Sequence, residues 1–234
     1  NGDIYKLFEN DISQMRKGKL IVGSLPITGS HILPLVLPVF QQKFPDIEIT
    51  LVEETTTNLE QLAKDGQTDI CLLTLPLQEP SLTYEKLIEE EILLCVPPGH
   101  PLAQKANDVG RKVQIAELRD EPFIILKNGQ GFREITLELC QKADFFPNVV
   151  FESSNIETVQ SLVAAGMGVA FVPLMVSRAK WSHFVPVYLH LENRPKRTLV
   201  IAYRKGRYLS KAASAFIATL KDALQSRQPP LHSA

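Results

Sequence analysis

Residues 23–34 read GSLPITGSHILP. The run sits between KLIVG, a short β-branched stretch, and ILPLVLPVFQQKF, whose apolar residues have helix-like spacing. The order predicts a strand, then a loop carrying Pro26, Thr28, Gly29 and Ser30, then a helix over 31–44 that ends before Pro45. The first N–H groups of a helix lack partners and attract anions, and neighbouring hydroxyls add donors. Ile27, Thr28, Gly29 and Ser30 are therefore candidates to hold a small anion; the plainer alternative is a helix cap. Thr74 closes TDICLLT, and ligands of open α/β sheets bind beyond the carboxyl ends of strands. A plain strand terminus is its alternative. A second set follows the strand-like FIIL in KNGQGFR, residues 127–133. There Gly-Gln-Gly at 129–131 permits close backbone approach to a ligand, Gln130, Gly131 and Phe132 are candidate site residues, and Lys127 or Arg133 could pair with an anion. Either charge alone is more simply a solvated surface group.

Other chemistry finds little support. GQG is no nucleotide fingerprint, because G-x-G-x-x-G and the P-loop are absent. Thr55, Thr56 and Thr57 are better read as a cap for the helix NLEQLAKDG. His31, His100, His183 and His190 have no metal-ligand spacing, so no metal and no cofactor is expected. Cys71, Cys95 and Cys140 form neither a zinc ribbon nor a Cys-x-x-Cys pair and read as buried, reduced thiols. No G-x-S-x-G, no H-E-x-x-H and no Cys/His pairing is present, and the expectation is a protein that is not an enzyme.

The elements that must position these residues come in two series. Across the first 75 or so residues, KLIVGSL, the helix over 31–44, IEITLVEE, TTTNLEQLAKDG and the buried TDICLLTL alternate β-α-β-α-β, which implies a parallel sheet. YEKLIEEEILLCVP reads as two strands with a short turn, and Pro97, Pro98, Gly99 and Pro101 mark a crossover. A short helix in VQIAELRD precedes a second β-α-β-α-β series: FIILK, GFREITLELCQKA, NVVFES, NIETVQSLVAAG and VAFVP. Asn155 is its plausible N-cap and Gly166 its stop. FVPVYL and RTLVIAYRK add strands, and LSKAASAFIATLKDAL a final helix. DIYKLFENDISQMRKG, at the start, has helical apolar spacing. The 234 residues are 44% apolar and 22% charged, with a net charge of −1. That is ordinary for a soluble globular protein and lacks the basic excess of a nucleic-acid binder. No run is long enough to span a bilayer and no signal-peptide core is evident. A cytoplasmic location is expected.

The details resemble the effector-binding domain of LysR-type transcriptional regulators. The matching residues are G-K-L-I-V-G at 18–23, L-P-x-V-L-P-x-F-x-x-x-F-P at 33–45 and D-I-C-L-L at 69–73. V-P-P-G-H-P-L-A at 96–103, V-A-A-G-M-G-V-A-F-V-P at 163–173 and L-V-I-A-Y-R-K-G-R-x-L-S-x-A-A-x-A-F-I at 199–217 complete the series. The resemblance covers residues 4–226 and implies an α/β, two-lobed, type 2 periplasmic-binding-protein-like fold, each lobe a mixed, mainly parallel sheet flanked by helices. Lobe one would hold 18–97 and 200–228, lobe two 98–199. Residues 1–17 would be the end of a linker helix and 229–234 a tail, the winged helix-turn-helix being absent. The resemblance also implies a small effector, a carboxylate or another small anion, in the interlobe cleft. It implies a homodimer, or a tetramer at full length, pairing lobe-one helices with lobe-two strands. LPLVLPVFQQ and VQSLVAAG carry the apolar faces suspected there. Promoter DNA would be met only through the missing N-terminal part, and no membrane is involved. The rival on the same fold is a solute-binding protein of a transport system.

Overall fold

The computed structural model describes residues 18–105, 112–177 and 184–225. The expected N-terminal helix, the tail and His183 lie outside the described residues. The first elements are β1 (Gly18–Ser24), α1 (Pro26–Lys43), β2 (Ile47–Glu53), α2 (Thr56–Lys64), β3 (Ile70–Thr74), β4 (Leu82–Val96) and α3 (Pro101–Lys105). A 3-10 turn, Ile115–Leu118, precedes β5 (Pro122–Leu126), α4 (Gly131–Lys142), β6 (Asn148–Ser153), α5 (Ile156–Ala164) and β7 (Ala170–Pro173). After a 3-10 turn at Leu174–Val176 come β8 (Val187–His190), β9 (Lys196–Arg204) and α6 (Lys211–Gln225). No helix among the described residues is long and apolar enough to cross a membrane.

The chain groups into two compact units. Unit 1 holds the residues up to Ile88 and those from Leu199 onward; unit 2 is Glu89–Thr198. The passages fall inside β4 and β9, not at the proline cluster Pro97–Pro101.

In unit 1, β1 pairs in parallel with β2 (Gly18↔Ile47 to Ser24↔Glu53) and with β3 (Val22↔Ile70 to Ser24↔Leu72). β9 joins β3 antiparallel, Cys71↔Ala202 to Thr74↔Leu199. Every residue of β3 is buried, as its unbroken apolar run requires. The helix α1 lays Ile32, Leu33, Val36 and Phe40 inward, and the Phe40 ring meets Phe216 of α6 edge-on with centroids 5.2 Å apart. Both rings are fully buried.

In unit 2, β5 pairs with β6 in parallel, Pro122↔Asn148 to Leu126↔Ser153, and a parallel bridge Phe123↔Val169 joins β5 to the start of β7. The second half of β4 takes β7 on one side and β8 on the other, both antiparallel. Gly168 is obligatory at the β5–β7 approach, because a Cβ there would stand 2.4 Å from the Pro122 carbonyl oxygen.

Two expectations are corrected. The segment 26–30 is not a loop: α1 begins at Pro26, five residues ahead of the predicted start at 31. Proline suits the first helical position, where its missing N–H would be unpaired anyway. The prolines at 34 and 38 also stay inside the helix, on its exposed face. The stretch 84–97 is not two strands with a turn. β4 runs unbroken from Leu82 to Val96. The triple glutamate reads as a turn because it is charged, but Glu90 keeps the strand's alternation and points inward, where it is 7% exposed.

Candidate functional site

The first candidate set lies in unit 1. At the head of α1, the Gly29 N–H makes the first intrahelical bond, to the Leu25 carbonyl at 2.8 Å. The N–H groups of Ile27 and Thr28 precede that ladder and have no partner within it. No acidic residue stands in this first turn to offset the helix dipole. Thr28 is fully buried and its Oγ1 has no hydrogen-bond partner. Gly29 is needed for close packing, since a Cβ there would come within 2.9 Å of Ser24 Oγ. Ser30 is exposed and turned back on its own helix, its Oγ donating to the Ile27 carbonyl at 2.9 Å. His31 Nδ1 lies 2.9 Å from the same oxygen. Thr74 ends β3, is buried, and its Oγ1 is likewise without a partner.

A buried hydroxyl left unpaired costs about 1–3 kcal/mol. Native chains pair nearly all such groups. Three side-chain hydroxyls among the described residues are in that position, those of Thr28, Thr74 and Ser81, and the first two fall on residues that the sequence singled out. Thr55, by contrast, is a working cap: its Oγ1 accepts from the Asn58 N–H at 3.4 Å.

The second set, in unit 2, is built differently. The left-handed Gly129 (φ 85°) turns the chain into α4. Gln130 is the N-cap residue but does not cap; its Nε2 donates to the Ser154 carbonyl at 3.2 Å. Gly131 opens the helix and Phe132 is buried behind it. Arg133 is bonded within unit 2 through Nη1, which donates to the Leu126 carbonyl at 2.7 Å and to Glu152 Oε1 at 2.6 Å. It fastens α4 to β5 and β6.

Among the described residues of unit 2, the unmet buried donor comes from a residue that the sequence did not single out. Arg197, on β9, is 4% exposed. Its Nε donates to Glu90 Oε2 at 2.7 Å, and its guanidinium lies 5.6 Å from the centroid of the Phe132 ring. The second oxygen of Glu90 accepts from the Met175 N–H. Arg197 Nη2 is buried and has no partner. A signal was present: Arg197 is in phase with Leu199 and Ile201, which are buried, as Glu90 is with Ile92 and Leu94. Strand alternation thus places an opposite charge pair inside.

The remaining polar chemistry is structural. His100 accepts from the Leu102 N–H at 3.2 Å, and its Nε2 lies 3.2 Å from Glu121. Burial pushes the Cys71 thiol up to about 11 and the Cys140 thiol up to about 12, far from nucleophilic. No cluster that could hold a metal occurs among the described residues. A concavity of about 400 Å³ in unit 2 is lined by Val113, Ile115, Leu139, Lys142, Leu191 and Pro195, at the far end of α4 from Phe132. None of the candidate residues lines it and it contains none of the unpartnered atoms, so chemistry favours the other two places.

The comparisons with known proteins agree with one another. The family described as LysR substrate binding domain matches residues 13–225. The HTH-type transcriptional regulator YcgK of Bacillus subtilis (strain 168) is 38% identical over 220 residues, 88% of this chain and 67% of that protein. The effector binding domain of QuiR, solved in complex with shikimate, superposes with a TM-score of 0.79 at 19% identity, covering 91% of this chain and 100% of that one. The BenM effector binding domain, solved with its effector benzoate, gives 0.77 at 21% identity and covers 91% of this chain and 96% of that one. At such identities the two structures show the fold.

Proposed function

This chain belongs to the LysR substrate binding domain family, and from that premise we propose that it is the sensing part of a transcriptional regulator. It binds a small acid and, in the whole protein, passes that binding on to promoter recognition. The observation that carries this reading is the pair of buried, unpartnered hydroxyls at Thr28 and Thr74. Ligand oxygens would complete them, together with the N–H groups of Ile27 and Thr28. Gly29 and Ser30 shape the same turn, and Gln130, Gly131, Phe132 and Arg133 present the head of α4. Because the hydroxyls are closed to solvent, a ligand reaches them only in another conformation of the protein. Binding is then coupled to a conformational equilibrium, which a sensor needs. QuiR and BenM were solved with shikimate and benzoate, both carboxylic acids, and they support the carboxylate class. The transport role that shares the fold has no support from the YcgK match, which is to a transcriptional regulator.

The chain acts as a homodimer in this reading. Its surface for that is β6, five of whose six residues are exposed and which pairs with β5 alone among the described strands. Val149, Val150 and Phe151 are 37%, 47% and 42% exposed, and Phe146 beside them 82%. Val39 of LPLVLPVFQQ is also exposed, whereas Val159 and Val163 of VQSLVAAG are buried.

The test is a thermal-shift series with shikimate, benzoate, acetate and inorganic phosphate on the wild type, Thr28→Val and Thr74→Val. A ligand of the folded state raises the Tm in step with concentration over Kd. The reading expects at least one acid to do so and the variants to lose the response. A panel without effect, or variants that respond like the wild type, contradicts it.

A further inference from the structure

The guanidinium of Arg197 is the most demanding unmet group in the described chain. Its side chain is 2% exposed and that of Glu90 6%. Both oxygens of Glu90 already accept, one from Arg197 Nε and the other from the Met175 N–H. Nη2 carries two further protons, and neither has an acceptor. An unpaired donor on a charged group is dearer than an unpaired hydroxyl. Burial depresses the pKa of Arg197 and Glu90 opposes that shift. The group still remains charged, as arginine does in proteins. The Phe132 ring, in the first turn of α4, lies 5.6 Å from the guanidinium.

We propose that Arg197 is an effector-binding residue, whose free Nη2 donates to the carboxylate of a small organic acid beside Phe132 at the head of α4. Glu90 is the positioning residue that holds the guanidinium through Nε. The proposal rests on the reading that this chain binds a small acid. Glu90 already cancels the arginine charge, so the ligand's own charge is uncompensated in a poorly polarisable place. A monoanionic carboxylate is tolerated there far better than a doubly charged phosphate. Arg133, the arginine that the sequence offered, is tied to Leu126 and Glu152 and does not compete for the role.

The test follows the guanidinium directly. The chain, labelled with 15N-arginine, is titrated with shikimate, benzoate and inorganic phosphate, and Arg197→Lys identifies the Arg197 signals by their loss. The acid that raises the Tm is expected to move those signals saturably, with the same Kd. Arg197→Lys keeps the charge beside Glu90 and weakens binding roughly tenfold or more. Glu90→Gln removes the competing charge and tightens it, which a merely structural role for Glu90 would not do. An acid that raises the Tm while the Arg197 signals stay still, and that binds Arg197→Lys as well as the wild type, overturns the inference and leaves the effector reading standing. No acid raising the Tm overturns both. Phosphate binding Arg197 more tightly than the carboxylates overturns the carboxylate assignment.

Discussion

Units 1 and 2 each contain a β-α-β-α-β series, yet they present unmet polar groups by opposite routes. In unit 1 the groups are local and neutral: the hydroxyls of Thr28 on the first turn of α1, Thr74 at the end of β3 and Ser81 just before β4. In unit 2 the local residues Gln130 and Arg133 are already bonded, and the unmet group is Arg197, brought in from a distant strand and held by an ion pair. A neutral hydroxyl can be left waiting at modest cost. A buried cation cannot, unless a partner such as Glu90 cancels its charge. The difference predicts how each region responds to substitution.

The largest effect belongs to the ion pair. Glu90→Leu strands a buried guanidinium and is expected to cost about 3–5 kcal/mol of stability in urea denaturation, and the double variant Glu90→Leu/Arg197→Met to recover most of it. A double variant as unstable as the single one would mean that the pair is structural cement rather than a poised charge. In unit 1 a comparable loss comes from the apolar core: Phe40→Ala empties a fully buried site against Phe216 and costs about 3–5 kcal/mol.

The next effect has the opposite sign. Thr28→Val and Thr74→Val each remove a buried hydroxyl without a partner and are expected to stabilise the ligand-free chain by about 1 kcal/mol. A loss of stability in both would put the two regions on the same footing. Arg133→Met lies lower still. Its Glu152 partner is 41% exposed, so the lost pair is worth about 0–1 kcal/mol. The smallest effect is chemical: with Cys71 near 11 and Cys140 near 12, neither thiol should react appreciably with iodoacetamide at pH 8 in the native chain. Rapid labelling of either would show an opening that exposes its unit's core.

The comparison also explains what was legible. The β-α-β-α-β order could be read because apolar period 2 and period 3.6 alternate along the chain, and Gly66 and Gly166, both at positive φ, close α2 and α5. Thr28 and Thr74 were legible because a strand end and a helix start are sequence-local events. The beginning of α1 was not, since Pro26 and Gly29 are loop formers elsewhere and helix formers here. The continuity of β4 was hidden by Glu89, Glu90 and Glu91, whose charges resemble a turn until Arg197 is known to face the middle one. Arg197 and Glu90 lie 107 positions apart, and no local window contains both. Only the phase of each strand hinted at them.

One measurement tests the central claim that the buried, unpartnered groups are kept for a small acid. Urea denaturation of the Thr28→Val/Thr74→Val double variant is followed with and without the acid that protects the wild type. The account predicts a ligand-free variant about 1–2 kcal/mol more stable than the wild type and no longer protected by that acid. A variant that is less stable and still protected would contradict it, because the hydroxyls would then serve the fold and not the ligand.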